Sequence, residues 1–166
     1  SGTNTLSPGV YCGNFNFNGS GTLNLNPGLY VFKGTRWNLN SGWTVNAKGV
    51  TFYFADKDSY IQINSGVKID FSAPTSGTYA NILMFEPTGL KRSGFSINGS
   101  AGHKLRGLIY LPSRDMTFNS VSSLTADSIT MVFNTLILNN VSWQIAPGDL
   151  SIPLSGGSRS TVRLIR

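Results

Sequence analysis

Six short stretches of this chain repeat one order of side chains: apolar, any residue, apolar, asparagine. They are Phe15–Asn18, Trp37–Asn40, Ile61–Asn64, Phe95–Asn98, Met116–Asn119 and Leu136–Asn139. Successive asparagines lie 22, 24, 34, 21 and 20 residues apart. Two apolar residues separated by one other point to the same face of a strand. A step of ~20–24 residues holds three short strands and three turns, one coil of a solenoid whose strands stack ~4.8 Å apart. The pattern predicts an all-β, single-domain right-handed parallel β-helix of about six coils spanning residues 1–166. Phe15, Trp37, Ile61, Phe95, Met116 and Leu136 would form one interior column, and Phe17, Leu39, Ile63, Ile97, Phe118 and Leu138 the next. Asn18, Asn40, Asn64, Asn98, Asn119 and Asn139 would stack as an internal amide ladder, each side chain satisfying its neighbour.

Other runs fit the same coils. Gly28–Phe32, Gly49–Phe54, Asn81–Phe85, Gly107–Leu111 and Ser128–Phe133 are short, nearly continuous apolar segments, as parallel strands with little exposure require. Thr22–Leu25, Thr44–Ala47 and Lys68–Phe71 supply a third strand per coil. The 34-residue step contains an irregular excursion over residues 72–94, rich in Pro, Gly and Ser turn chemistry. Solenoid ends expose strand edges that need a cover or a partner. Residues 147–166, with Pro147, Pro153 and Gly156-Gly157 before the run Thr161–Arg166, read as a C-terminal cap or pairing segment. The N-terminal edge carries no such segment, which points to something preceding or docking there.

Composition sharpens this picture. Only 12% of residues are charged, about half the usual share for a soluble domain. Asn, Ser, Thr and Gly replace them, suiting turns and short strands rather than helices. The net charge of +6 reflects few acids, 7 against 13 Lys and Arg. Scattered bases of this kind can attract an anionic glycan. They do not alternate with aromatics as a nucleic-acid groove would need, so no nucleic-acid partner is expected. Cys12 is the single cysteine and can make no internal disulfide. No apolar run reaches ~18 residues, so no membrane span is expected. The first residues lack a basic stretch followed by an apolar one, so they do not read as a signal peptide.

Catalysis finds little to work with. Glycoside hydrolysis needs two carboxylates across one bond, and lyase chemistry needs clustered acids with a base. Asp56, Asp58, Asp70, Glu86, Asp115, Asp127 and Asp149 share no common offset from the ladder, so no carboxylate column forms. Asp56-Lys57-Asp58 reads as an exposed turn. His103, the single histidine, stands beside Lys104 and reads as solvent-facing. One Cys and one His leave no zinc site. The expectation is a protein that is not an enzyme, with no cofactor and no metal. Trp43 and Trp143 are candidate interaction residues, with core or edge packing an equal reading for both. The basic pairs and ends, Lys91, Arg92, Arg163 and Arg166, complete the candidate interaction set. Asn18, Asn98 and Asn140 match glycosylation acceptors, but the first two belong to the ladder and are expected to be buried.

Leu6-Ser7-Pro8-Gly9-Val10-Tyr11-Cys12-Gly13 and Leu25-Asn26-Pro27-Gly28-Leu29-Tyr30 resemble the doubled Pro-Gly-x-Tyr motif of TadG-like proteins of tight-adherence (Flp) pilus assembly. Gly49–Phe54, Ser72–Gly77, Gly107–Ser113 and Val162–Leu164 resemble further motifs of that family, in the same order. The resemblance covers most of the chain and implies the C-terminal β-helical domain of an exported bacterial protein, facing the periplasm, cell surface or exterior. It carries no catalytic residues over. The family's N-terminal membrane helix is absent here, and Cys12 lacks the second cysteine such domains often show. The expected function is a structural or assembly domain, pilus-associated or self-assembling into a filament through its coil ends. A glycan-binding module using the 72–94 excursion and exposed aromatics is the alternative.

Overall fold

In the computed structural model, which describes residues 2–98, 102–119 and 123–147, thirteen strands join in one sheet and every pairing is parallel. In chain order they are β1 (Gly2–Leu6), β2 (Gly9–Phe17), β3 (Gly21–Leu25), β4 (Gly28–Leu39), β5 (Trp43–Lys48) and β6 (Val50–Phe54). There follow β7 (Tyr60–Ile63), β8 (Lys68–Ser72), β9 (Ile82–Phe85), β10 (Ser93–Asn98), β11 (His103–Asn119), β12 (Ser123–Asn139) and β13 (Ser142–Pro147). No helix occurs among the described residues.

The strands wind into a β-solenoid with three faces. The first face stacks β1, β3, β5, β8, the starts of β11 and β12, and β13. The second stacks the starts of β2 and β4, then β6, β9 and the middles of β11 and β12. The third stacks the ends of β2 and β4, then β7, β10 and the ends of β11 and β12. That makes six coils, with β13 beginning a further turn on the first face. The long strands bend through corners with register shifts at Cys12/Gly13 and Leu111/Asp115.

The expected columns stand in register on the third face. Phe15 pairs with Trp37, Trp37 with Ile61, Phe95 with Met116 and Met116 with Leu136. Phe17, Leu39, Ile63, Ile97, Phe118 and Leu138 do the same. Their middle members are buried, while Phe15, Leu136 and Leu138, on the outermost coils, are exposed. The core is aromatic toward the N-terminus. Around Trp37 stand the rings of Tyr11, Phe15, Phe17, Tyr30 and Phe32, with centroids 4.7–6.4 Å away.

The doubled Pro-Gly-x-Tyr motif is a corner between the first and second faces. Gly28 has φ +138°, and a Cβ there would lie 2.5 Å from the Pro8 ring of the coil before. A side chain is excluded by both its backbone and its neighbour. The tyrosines close the corner from within: Tyr11 Oη donates to Ser7 O at 2.6 Å, and Tyr30 Oη lies 2.8 Å from Leu6 O and 2.9 Å from Asn26 O. The motif thus satisfies corner carbonyls that no strand can reach.

The ladder forms as expected, but on a corner rather than in the interior. Each Nδ2 donates to the Oδ1 of the preceding coil: Asn40 to Asn18, Asn64 to Asn40, Asn98 to Asn64, Asn119 to Asn98 and Asn139 to Asn119, over 2.7–3.4 Å. The inner four amides are half-buried, and Asn18 and Asn139 are exposed. Asn64→Ala removes the donor to Asn40 and the acceptor of both Asn98 and Gln62. It should cost about 1–3 kcal/mol in urea unfolding. Asn18→Ala breaks one ladder bond at an open end and should cost clearly less; equal losses would deny the ladder its cooperative role.

Candidate functional site

The most deeply placed charges form one device at the corner between the second and third faces. Glu86 and Arg114 have side chains 0% exposed, with Arg114 Nε donating to Glu86 Oε2 at 2.7 Å. The other guanidinium nitrogens donate to Lys57 O at 2.9 Å and Asp56 O at 2.8 Å. Glu86 Oε1 accepts the Ser113 N–H at 2.7 Å, and the Phe54 ring lies 5.9 Å from the guanidinium carbon. Three consecutive coils are tied through this pair. Both ions are paired and hydrogen-bonded within the protein, so the pair works as a clamp between coils.

The turn beneath it is held by Asp56. Its Oδ2 accepts the Gly34 N–H at 2.7 Å, and its Oδ1 accepts the N–H groups of Asp58 and Ser59 at 3.0 and 2.9 Å. Burial alone would raise the Asp56 carboxyl, but these bonds and one from the Ser59 hydroxyl outweigh it and hold the group below its ordinary value. The Asp56–Asp58 segment is the turn expected, with a capping carboxylate at its head.

His103 corrects the sequence reading. It is not solvent-facing but 2% exposed, in an interior column of the first face shared with Leu23, Val45, Ile69 and Leu124. Nε2 lies 3.4 Å from Asn98 O, and Nδ1 has no partner among the described residues. Burial pushes the imidazole below its ordinary value, with the Asn98 contact opposing. Above pH ~6.5 the ring is neutral in folded and unfolded chains alike. Below it, the unfolded chain takes up a proton that the folded one resists, so stability falls with pH. Denaturant midpoints should therefore drop from about pH 7 to about pH 5, and His103→Leu should flatten that decline. A variant that declines as steeply as the parent would contradict the assignment.

Of the candidate interaction residues, Trp43 is 7% exposed, and its Nε1 donates to Asn18 O at 3.3 Å. Its ring lies under Gly21, where a Cβ would come within 3.1 Å of the indole. Trp43 is therefore packed against the core. Trp143 is half-buried, edge-on to Phe118 at 4.8 Å. Lys91 and Arg92 are exposed. Arg92 Nε reaches both Asp115 oxygens at 3.0 and 2.8 Å, while Asn134 and Thr135 donate to the same carboxylate. Arg92, then Thr135 and Asn134, pull the Asp115 carboxyl down to about 2. Arg163 and Arg166 lie outside the described residues, as does the cap or pairing segment beyond Pro147. Of the two acceptor-like ladder residues, Asn18 is exposed rather than buried and Asn98 is half-buried.

Two surfaces stand out. On the first face an open groove of about 330 Å³ is lined by Lys48, Asp70, Ser72, Lys104, Arg106 and Asp127, among others. Lys48 pairs with Asp70, and Arg106 stands 3.6 Å from Asp127. The groove follows from register: Ser72 is a short side chain between Lys48 and Arg106 on adjacent strands. Neither the groove nor the Glu86–Arg114 clamp is apparent from the chain, because each joins residues from separate coils. The second surface is the pair of coil ends. Phe15 is 37% exposed at one, and Leu136, Leu138 and Ile145 are 45–53% exposed at the other. Among the described residues no three His, Cys, Asp or Glu side chains gather as metal ligands, and no helix is long and apolar enough to cross a membrane. No family model, no curated protein and no solved structure matches this chain.

Proposed function

We propose that this chain is a non-enzymatic, exported bacterial structural or assembly domain that joins other chains through its coil ends. It serves a pilus or builds a filament of its own. The observation that supports this reading is the exposure of core columns on the first and last described coils. Phe15 continues the column of Trp37, and Leu136 and Leu138 continue those of Met116 and Phe118. Among the described residues, positions that are core in the middle coils are surface in the first and last described coils. A further strand added at either end would bury them and pair an open backbone edge.

Sedimentation velocity and electron microscopy test this directly. The parent chain should form concentration-dependent rods or higher oligomers, and Leu136→Asp/Leu138→Asp or Phe15→Asp should suppress them without unfolding the chain. A parent that stays monomeric at every concentration and binds no pilus component at either end would overturn the proposal.

The first-face groove favours a second reading, a glycan-binding module. Three cations, two carboxylates and the Ser72 and Thr125 hydroxyls suit a sugar carrying both hydroxyl and acidic groups. Titration with an oligouronide should then show saturable binding that Lys104→Ala and Arg106→Ala abolish.

A further inference from the structure

Two asparagines of the ladder are followed by glycine, and both open the same tripeptide: Asn18-Gly19-Ser20 and Asn98-Gly99-Ser100. No other asparagine in the chain precedes a glycine. In such a pair the side-chain amide is most open to attack by the next backbone nitrogen, because glycine has no Cβ to obstruct the approach. Identical local chemistry makes the two sites a matched pair. Any difference between them in the folded chain comes from the fold.

The fold treats them differently. Asn98 is half-buried and held from both sides: its Nδ2 donates to Asn64 Oδ1 at 3.4 Å, and its Oδ1 accepts from Asn119 Nδ2 at 3.0 Å. Asn18 is exposed and held from one side only, its Oδ1 accepting from Asn40 Nδ2 at 2.7 Å. Among the described residues Asn18 Nδ2 donates to nothing, and the Gly19 N–H has no acceptor. Gly19 has φ +79°, and the space where its Cβ would stand is empty. At Asn18 the attacking nitrogen, the leaving nitrogen and the solvent path are therefore all open. The one bond it keeps supports the carbonyl oxygen on which negative charge would develop.

We infer that Asn18-Gly19 is a site of self-modification, at which the chain slowly converts its first ladder amide to a carboxylate. The Gly19 nitrogen bonds to Asn18 Cγ and the Cγ–Nδ2 bond breaks. The proton of the attacking nitrogen passes by way of water to the departing one, which leaves as ammonia. Water then opens the cyclic imide at either carbonyl, giving aspartate or its β-linked isomer. No oxidant and no other enzyme takes part. Aspartate keeps an acceptor for Asn40 Nδ2 but has no donor. The β-linked isomer also lengthens the backbone by a carbon at a tight corner. There a Cβ on Gly42 of the next coil would lie 2.9 Å from Ser20 Cβ and 3.1 Å from Gly19 O, and Trp43 Nε1 donates to Asn18 O at 3.3 Å. On the end-joining reading proposed above, either product puts a charge and no donor where a further coil would extend the ladder.

The test is warm incubation of the full chain at mildly alkaline pH, followed by peptide mass spectrometry that separates aspartate from its isomer. It needs no partner chain, so its outcome is independent of whether the coil ends join. In the folded chain Asn18 should convert at least tenfold faster than Asn98. In concentrated urea, where only the shared tripeptide remains, the two should convert at similar rates. Asn18→Gln should remove the acidic charge variant that accumulates in the parent. Gly19→Ala should slow conversion at position 18 at least tenfold with unaltered circular dichroism. Equal rates at the two sites in the folded chain, a ratio no larger than in urea, or an Asn18 that stays intact while the urea control converts would overturn the inference.

Discussion

Arg114→Met should lower stability by about 3–5 kcal/mol, the penalty for stranding one member of a buried ion pair. Both side chains are fully buried, so Glu86 would be left inside without its counter-ion, with only the Ser113 N–H against it. The carbonyls of Asp56 and Lys57 would also lose the donors that now satisfy them. Methionine fills most of the volume, which separates the electrostatic loss from a cavity. Glu86→Leu/Arg114→Met should recover part of the stability, because neither charge then remains. The recovery stays incomplete, since two carbonyls and one N–H are still unpaired. Urea unfolding of parent, single and double variants measures all three. A single variant within 1 kcal/mol of the parent would mean that the clamp contributes little.

Trp37→Ala should be comparably severe, about 3–5 kcal/mol. The indole is 1% exposed and sits among five aromatic rings from the first two coils. Removing it opens a cavity that stiff neighbouring strands cannot close. Trp37→Phe should cost much less than the volume change suggests. The Trp37 Nε1–H has no acceptor among the described residues, so phenylalanine removes an unpaired donor along with the second ring. Thermal and urea unfolding of the two variants should differ by at least 1 kcal/mol. Equal losses would show that the indole nitrogen is satisfied in solution.

These two side chains also mark how far the fold can be read from the chain. Trp37 was placed correctly by period alone, because a two-residue alternation repeated six times leaves its column no other position. The register of the ladder asparagines follows in the same way, although they stand on a corner and not in the interior. Arg114 shows the opposite case. Its partners lie 28, 57 and 58 residues away, and Glu86 sits in the one stretch where the period breaks. Nothing local distinguishes its charge from the exposed charges of Lys91 or Arg92. His103 was legible in principle. His103 and Leu105 alternate in phase with Ile69 and Phe71, yet the neighbouring Lys104 suggested solvent. Trp43 likewise had a signal in Gly21, which stands opposite it in register and leaves room for the indole. The first-face groove needed register, since its residues come from separate coils.

The amide ladder has a consequence for the way the chain acquires its shape. Every Nδ2 donates toward the earlier coil and every Oδ1 faces the later one. The row therefore carries a sense, like a file of arrows, and its two termini are chemically different. A finished coil presents an acceptor to the residues that follow it in the chain. Assembly that starts at the N-terminus, as when a polypeptide emerges progressively from a ribosome or an export pore, always meets a template already in place. The solenoid is in this respect a vectorial object, with a chemical sense that runs along its own chain.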